Sequence, residues 1–240
     1  TELSDSKEMF DKACRMLSFE NKTFLNEHVN TEQESLIIPT TFKTYEIIKK
    51  IGVGGMGAVY LANQKKPAER KVAIKFINTR FNKNLLFAEC QVLARLNHPN
   101  VATLFEADTL DDGTMFIVME YIEGTDLMSW YRDKSTNYKD KIKIFNDVCA
   151  GISHAHRKGI IHCDIKPSNI IIKSHENSVV TKIIDFGISR SEGNATNTSS
   201  LSGTQGYLAP ECMLESYDDG ADIRRDIYSL GVLLHQLIYD

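Results

Sequence analysis

Cysteine is sparse in this sequence: Cys14, Cys90, Cys149, Cys163 and Cys212 are odd in number, widely scattered and never form a CxxC pair. That argues against both a disulfide framework and a zinc site, and it fits a reducing, cytoplasmic setting. Long apolar runs are missing too. No window reaches the roughly 18 consecutive apolar residues that span a bilayer, and the start has no basic segment followed by an apolar one as in a signal peptide. No membrane contact is expected within these residues, and an anchor elsewhere is left open. Positive charge is not in excess, since 28 Lys and Arg stand against 32 Asp and Glu for a net charge of −4. Nucleic acid and anionic lipid are therefore poor partners. No internal repeat is present. What remains is a chain of 240 residues, 42% hydrophobic and 25% charged, enough for one large domain or two lobes.

Apolar periodicity divides the chain. Residues 1 to 29 carry a helical period with Phe10, Ala13, Cys14 and Leu17 on one face, Asp5 and Glu8 form a capping-box-like start, and a second short helix is expected over Asn21–Val29. The polar stretch Asn30–Thr41 reads as a linker, and an alternating strand opens at Tyr45. Up to Met119 the pattern is mostly strand, apart from a helix over Asn84–Leu96 with Leu85, Leu86, Cys90 and Leu93 at helical spacing. Beyond Gly124 it turns helical. Lys139–Arg157 sets Ile142, Phe145, Cys149, Ile152 and Ala155 along one face, and short strands are expected at Asn169–Ile172 and Val180–Ile184. Ser189–Ser202 is too polar to bury and is expected as a mobile loop. The division expected is 1–44 as a helical extension and linker, 45–121 as a small β-rich lobe, and 122–240 as the start of a larger helical lobe.

The chemistry-bearing residues come in series. Gly52, Gly54 and Gly57 in IGVGGMGAVYLA lie between two strand-like runs, where the lack of a Cβ lets backbone approach phosphates. Because Val59, Tyr60 and Leu61 continue as strand, the motif is a hairpin flap and not the strand-to-helix turn of a dinucleotide fold. Taken alone it reads equally well as an ordinary glycine-rich hairpin. One strand further on comes Val72-Ala73-Ile74-Lys75, and fourteen residues after Lys75 comes Glu89 on the predicted helix. The sharpest signal is HCDIKPSN at His162–Asn169, followed by Asp185-Phe186-Gly187. Phosphoryl transfer asks mainly for positioning and charge neutralisation, hence a carboxylate near the acceptor hydroxyl, metal ligands and cations near the phosphates. Asp164 suits the first role, Asn169 and Asp185 carry the oxygen ligands Mg²⁺ prefers, and Lys166 can reach the γ-phosphate.

In their order and spacing these motifs, from about Tyr45 to Asp240, resemble the eukaryotic-type protein kinases, with GGMGAVYLA and LNHPN most like the bacterial Ser/Thr branch. The resemblance implies an α+β, bilobal protein-kinase-like fold: a small β-rich N-lobe with one helix, and a mainly helical C-lobe that is incomplete here, because the helical pattern of Asp226–Tyr239 still runs at the last residue. It implies ATP and Mg²⁺ as cofactors. Lys75 and Glu89 would align the α and β phosphates beneath a flap formed by Ile51, Gly52, Val53, Gly54, Gly55, Met56, Gly57, Ala58 and Val59. Adenine would meet the Glu120 carbonyl and Ile122 amide, between Val59, Ala73 and Ile171, with Met119 at the rear. Asp126 is either a ribose ligand or a plain helix-start aspartate. His162 reads as a packed imidazole that supports the loop.

The function implied is transfer of the γ-phosphate of ATP to Ser or Thr hydroxyls of proteins, this one included, with Asp164, Lys166, Lys75 and Glu89 as catalytic residues and Asn169 with Asp185 on the metal. Lys166, and Gly203-Thr204 ahead of Tyr207, match the Ser/Thr form and disfavour tyrosine as acceptor. The alternatives are a pseudokinase scaffold that binds nucleotide, against which stand the intact carboxylates and Lys75, and a small-molecule kinase, against which stand Lys166 and the segment Gly203–Glu211. An uncovered Asp226–Tyr239 helix is expected to favour self-association. Cys163 stands where many kinases carry an arginine that gathers the phosphorylated activation loop, and it reads as a small semi-buried filler and not as a redox sensor. Activity of the complete domain should accordingly depend little on loop phosphate. Replacing Thr196, Thr198, Ser199, Ser200 and Ser202 with alanine should leave most of the turnover in a labelled-ATP assay, whereas collapse would give the gathering role to another cation such as Arg190.

Overall fold

The computed structural model describes residues 39–54, 56–78, 82–132, 137–175, 178–186, 206–213 and 222–239. The helices expected in residues 1–29, Gly55, Gly187, the 189–202 loop and Gly203-Thr204 lie outside them. No helix among the described residues is long and apolar enough to cross a membrane.

The alternating pattern that opens at Tyr45 becomes a six-stranded antiparallel sheet: β1 (Thr41–Phe42), β2 (Tyr45–Gly54), β3 (Gly57–Gln64), β4 (Arg70–Ile77), β5 (Leu104–Thr109) and β6 (Met115–Glu120), in the order β1-β2-β3-β4-β6-β5. Strand β1 falls at the end of the expected linker. It forms because Phe42 packs its ring against Phe76 and Phe116, at centroid distances of 5.6 and 5.0 Å. Tyr45 and Lys43 meet Glu106 on β5, the Tyr45 hydroxyl donating at 2.5 Å and Lys43 Nζ lying 2.9 Å away, so side chains join the turn between β1 and β2, and the start of β2, to the far edge of the sheet.

Strand period two sorts the sheet into faces. The registers Val59↔Lys75, Lys75↔Ile117, Leu61↔Ala73 and Ala73↔Met119 set these residues on one face, with Tyr60, Ile74, Phe76 and Phe116 on the other. Helix α1 (Lys83–Leu93) starts at Asn82, whose side chain accepts the N–H groups of Asn84 and Leu85, and it buries Leu86 and Cys90 against Ile77, Met115 and Ile117. Leu85, expected on the packed face, stays exposed.

The second part contains β7 (Thr125–Asp126), α2 (Leu127–Arg132), α3 (Tyr138–His156), a 3₁₀ turn at Pro167–Asn169, β8 (Ile170–His175), β9 (Ser178–Ile183), a second turn at Pro210–Met213 and α4 (Arg224–Tyr239). Strands β7, β8 and β9 form a separate three-stranded sheet. The buried stripe of α3 is Ile144, Val148, Gly151, Ile152 and Ala155. It is rotated from the expected face, for Ile142, Phe145 and Cys149 are only partly buried. The rotation follows Gly151. A Cβ there would lie 2.7 Å from Ile183 Cδ1 and 3.3 Å from Val101 Cγ2, so the bare backbone lets α3 touch β9 and the segment after α1 at once. That segment joins β9 as a parallel bridge, with Ile183 N–H donating to Asn100 O at 2.8 Å and Ala102 N–H to Ile183 O at 2.9 Å.

Gly151→Ala should therefore destabilise the fold by about 1–3 kcal/mol through overpacking. Thermal melting would show it as a fall of about 2–4 °C per kcal/mol at this chain size.

Candidate functional site

The glycine flap is a hairpin, as its strand continuation predicts. Strands β2 and β3 turn at the facing pair Gly54↔Gly57. Gly57 has φ of +151°, and a Cβ on it would stand 1.9 Å from the Phe76 carbonyl, so the close approach of β3 to β4 requires glycine. Beside it Lys75 is buried, with Nζ 3.0 Å from Asp185 Oδ1. Glu89, the expected orienting partner of Lys75, lies on α1 next to Cys90, and Lys75 forms an ion pair with Asp185. Lys75 and Glu89 still share a neighbourhood, since both act on the thiol of Cys90. Burial first, then the Glu89 charge, push that thiol up to about 11 against the opposing pull of Lys75.

The loop 162–169 is held from beneath by one carboxylate. Asp226, in the first turn of α4, accepts the N–H of His162 on Oδ2 and of Cys163 on Oδ1, both at 2.9 Å, and His156 Nε2 lies 2.8 Å from Oδ2. Burial alone would raise the Asp226 carboxyl. The His156 hydrogen bond and the two backbone donors together outweigh it and hold the group below its ordinary range. Those bonds fix Cys163 at φ of +66°, a left-handed conformation that typically costs a non-glycine residue about 1–3 kcal/mol. Cys163 is buried, 7% exposed, more deeply than the semi-buried filler expected.

His162 is inaccessible and its ring packs 4.6 Å from that of Phe186. Its Nδ1 accepts the Asp164 N–H at 3.3 Å and its Nε2 faces the Ile184 carbonyl at 3.2 Å, which requires the neutral ring with the proton on Nε2. Burial pushes its pKa down, in agreement. The packed, supporting role expected of this imidazole is what the geometry shows.

The loop then gathers its polar groups. Lys166 Nζ lies 2.8 Å from Asp164 Oδ2, and the Asn169 amide nitrogen donates to the Asp164 carbonyl at 2.8 Å and to its Oδ2 at 3.1 Å. Ile184 N–H donates to Asn169 O at 2.9 Å, tying the 162–169 loop to the residue before Asp185. Asp185, like Cys163, is left-handed, with φ of +55°. With its nitrogen spent on Asp164, Asn169 can turn its amide oxygen toward a cation, and Asp185 meets Lys75 through Oδ1. An all-oxygen pair of this kind suits a hard cation such as Mg²⁺.

The remaining expected residues surround this cluster. Ala73 and Met119 face each other across β4 and β6, and Val59 faces Lys75. Ile171 of β8 pairs with both Asp126 and Lys182. Met119 also lines a recess with Leu104, Ile184, Asp185 and Phe186. Ile51 and Val53 on the flap are exposed, and Gly52, Met56 and Ala58 are partly so. Asp126 takes the helix-start role, since its two oxygens accept the N–H and Oγ–H of Ser129 at 3.0 and 2.7 Å.

Two contributors escaped sequence reading. Asp226 lies in the stripe Asp226, Ser229, Leu233 and Leu237 that α4 buries, and a carboxylate in an apolar stripe was the available signal. The pair of Lys182 and Glu120, at 2.8 Å, joins β9 to the end of β6 and left no sequence trace.

Comparison with known proteins follows the same lines. The model of the protein kinase domain matches residues 45–240. A probable serine/threonine-protein kinase of Clostridium perfringens is 37% identical over 202 residues, covering 81% of this chain and 28% of that protein. The serine/threonine-protein kinase PknB of Mycobacterium tuberculosis is 36% identical over 207 residues, covering 81% of this chain and 32% of PknB. The chain thus spans about a third of the length of the curated relatives it matches. Among solved structures, Rad53 in complex with AMP-PNP aligns with a TM-score of 0.66 at 28% identity, over 81% of this chain and 48% of that one.

Asp226 and His162 are both harder to protonate folded than unfolded, so acid weakens the fold. The His162 contribution is complete above the ordinary imidazole value of about 6.5 and fades as pH falls below it; that of Asp226 is complete above about 4 and fades below. Melting temperature should therefore be level between about pH 7 and 8, decline below 6.5 and fall more steeply below 4, while above the ordinary thiol value of about 8.5 the raised Cys90 thiol makes it fall again. Asp226→Asn should lower stability at pH 7 by about 1–3 kcal/mol, because an amide nitrogen would face a buried backbone donor, and should flatten the steep acid limb.

Proposed function

The chain belongs to the protein kinase family, and on that footing we propose that it transfers the γ-phosphate of ATP to serine or threonine hydroxyls of protein substrates. The observation that carries this reading is the convergence of Lys75, Asp185, Asn169, Asp164 and Lys166. One ion pair joins Lys75 to Asp185 across both parts of the fold, a second ion pair and the bonds of Asn169 join Lys166, Asp164 and Asn169, and the Ile184 N–H to Asn169 carbonyl bond sets the two groups side by side. The lobes proposed are 45–121, to which Thr41–Phe42 adds an edge strand, and 122–240, with 1–44 preceding them.

Catalysis here is positioning and electrostatics. The purine would lie between Val59 and Ala73 above and Ile171 below, bonded to the main chain of Glu120 and Ile122, under the flap Ile51–Val59. Lys75 would take the α and β phosphates once Asp185 turns to the metal, with Glu89 close by to orient it. Asn169 and Asp185 would hold Mg²⁺, which when bound neutralises the phosphate oxygens. Asp164 accepts the proton of the acceptor hydroxyl as that oxygen bonds to the γ-phosphorus and ADP leaves with the pair of the broken P–O bond. Lys166, already 2.8 Å from Asp164, is placed to balance the charge on the transferred group.

Serine or threonine, and not tyrosine, as acceptor rests on Lys166 and on the relatives' names. A pseudokinase scaffold finds no support in the site, where every proposed catalytic group is present. Asp126 remains a ribose candidate only through whatever accepting capacity its capping bonds leave.

Lys75→Met and Asp164→Asn should each lower phosphoryl transfer by about 10²–10⁴ with the fold intact, read by labelled ATP and circular dichroism on a form carrying the complete lobe. Asp185→Ala should in addition weaken nucleotide binding in the presence of Mg²⁺. Near-normal turnover in either of the first two variants would rule the assignment out.

A further inference from the structure

The ion pair between Lys182 and Glu120 takes no part in the transfer chemistry, yet it links the two ends of the proposed nucleotide site. Lys182 lies on β9, opposite Ile171 and three residues ahead of Asp185. Its Nζ is 2.8 Å from Oε2 of Glu120, the last residue of β6. The same Oε2 accepts the Thr103 N–H at 3.2 Å, and the Glu120 N–H donates back to the Thr103 carbonyl at 2.8 Å. Both side chains are largely shielded, 16% and 28% exposed, so this contact is stronger than an exposed surface pair. The segment 100–103 is stitched to β9 as well, through Asn100 Nδ2 to the Thr181 carbonyl at 3.0 Å and the Asn100 and Ala102 bonds to Ile183.

The residue whose main chain meets the purine and the strand that delivers Asp185 therefore share one carboxylate. We propose that Lys182 is a positioning residue for the nucleotide: by holding Glu120, it keeps the purine-binding peptide and Asp185 at a fixed separation. The inference rests on the kinase reading. Displacement of about 1 Å away from the reacting atoms can cost a factor of about 10² in a positioned reaction, which gives one ionic contact this much leverage. Lys182 is outside the set of residues proposed to touch nucleotide or acceptor, so its effect passes through Glu120 and β9.

The experiment is a calorimetric titration, with ATP and Mg²⁺, of the form carrying the complete lobe, well below the melting temperature. Lys182→Met should weaken binding about tenfold, Lys182→Arg should restore it to within about twofold, and Lys182→Met with Glu120→Gln together should be no weaker than the worse single variant, as coupled groups behave. A purely structural role would lower the melting temperature of Lys182→Met and leave its affinity unchanged, and that result, or failure of arginine to rescue, overturns the inference. Should Lys182→Met not fold, Glu120→Gln decides: it keeps an acceptor for Thr103 while removing the charge, and unchanged affinity again overturns the proposal. A wild-type chain that does not bind ATP with Mg²⁺ overturns the kinase reading as well, whereas a binding wild type with an equally tight Lys182→Met sinks only the role of Lys182.

Discussion

One buried carboxylate sets the geometry on which the rest of the site depends. Asp226 is 1% exposed, and a carboxylate so placed must fill its lone pairs or give up its charge. It fills them with the N–H groups of His162 and Cys163 and with the His156 ring. Those backbone donors belong to the residues just before Asp164, so the demand of α4 for partners dictates where the loop turns. Cys163 accepts a left-handed conformation in consequence, and the strain is carried by bonds that cannot relax without stranding a charge. His162 transmits the constraint, one nitrogen toward Asp164 and the other toward Ile184, next to Asp185.

The glycine-hairpin sheet meets this scaffold at few points, each specific. Lys75 reaches across to Asp185, and Glu120 receives Lys182. The segment after α1 lies along the side of β9 opposite β8, bridged at Val101 and Ile183, an approach made possible by the missing side chain at Gly151. A nucleotide seated between the two parts would thus find its base end and its phosphate end referred to the same strand, β9.

Much of the fold was legible because period and punctuation survive in any environment. Tyr45 as the opening of a strand, the hairpin at Gly54 and Gly57, and the helices near 84–96 and 139–157 follow from local pattern, within a few residues of the observed bounds. Which face of a helix packs was less legible. Helix α3 carries apolar residues on two adjacent stripes, and the choice fell to the stripe with Gly151, because close approach to β9 and Val101 buries more than a flatter contact would. Thr41–Phe42 looked like linker for a similar reason: nothing local makes a strand of them, and only the aromatic pair Phe76 and Phe116 does.

The motifs by themselves determined the family, the chemistry and nearly every side chain proposed to perform it, since phosphoryl transfer needs particular functional groups in a particular order along the chain and that order is written locally. Tertiary structure alone decided the partners. That Lys75 pairs with Asp185, 110 positions away, that Asp226 holds up the loop 63 positions before it, and that Lys182 meets Glu120 are long-range facts. No periodicity encodes them, because a buried charge is satisfied by whatever the fold brings within about 3 Å, and that is settled only when the two parts of the chain close on each other.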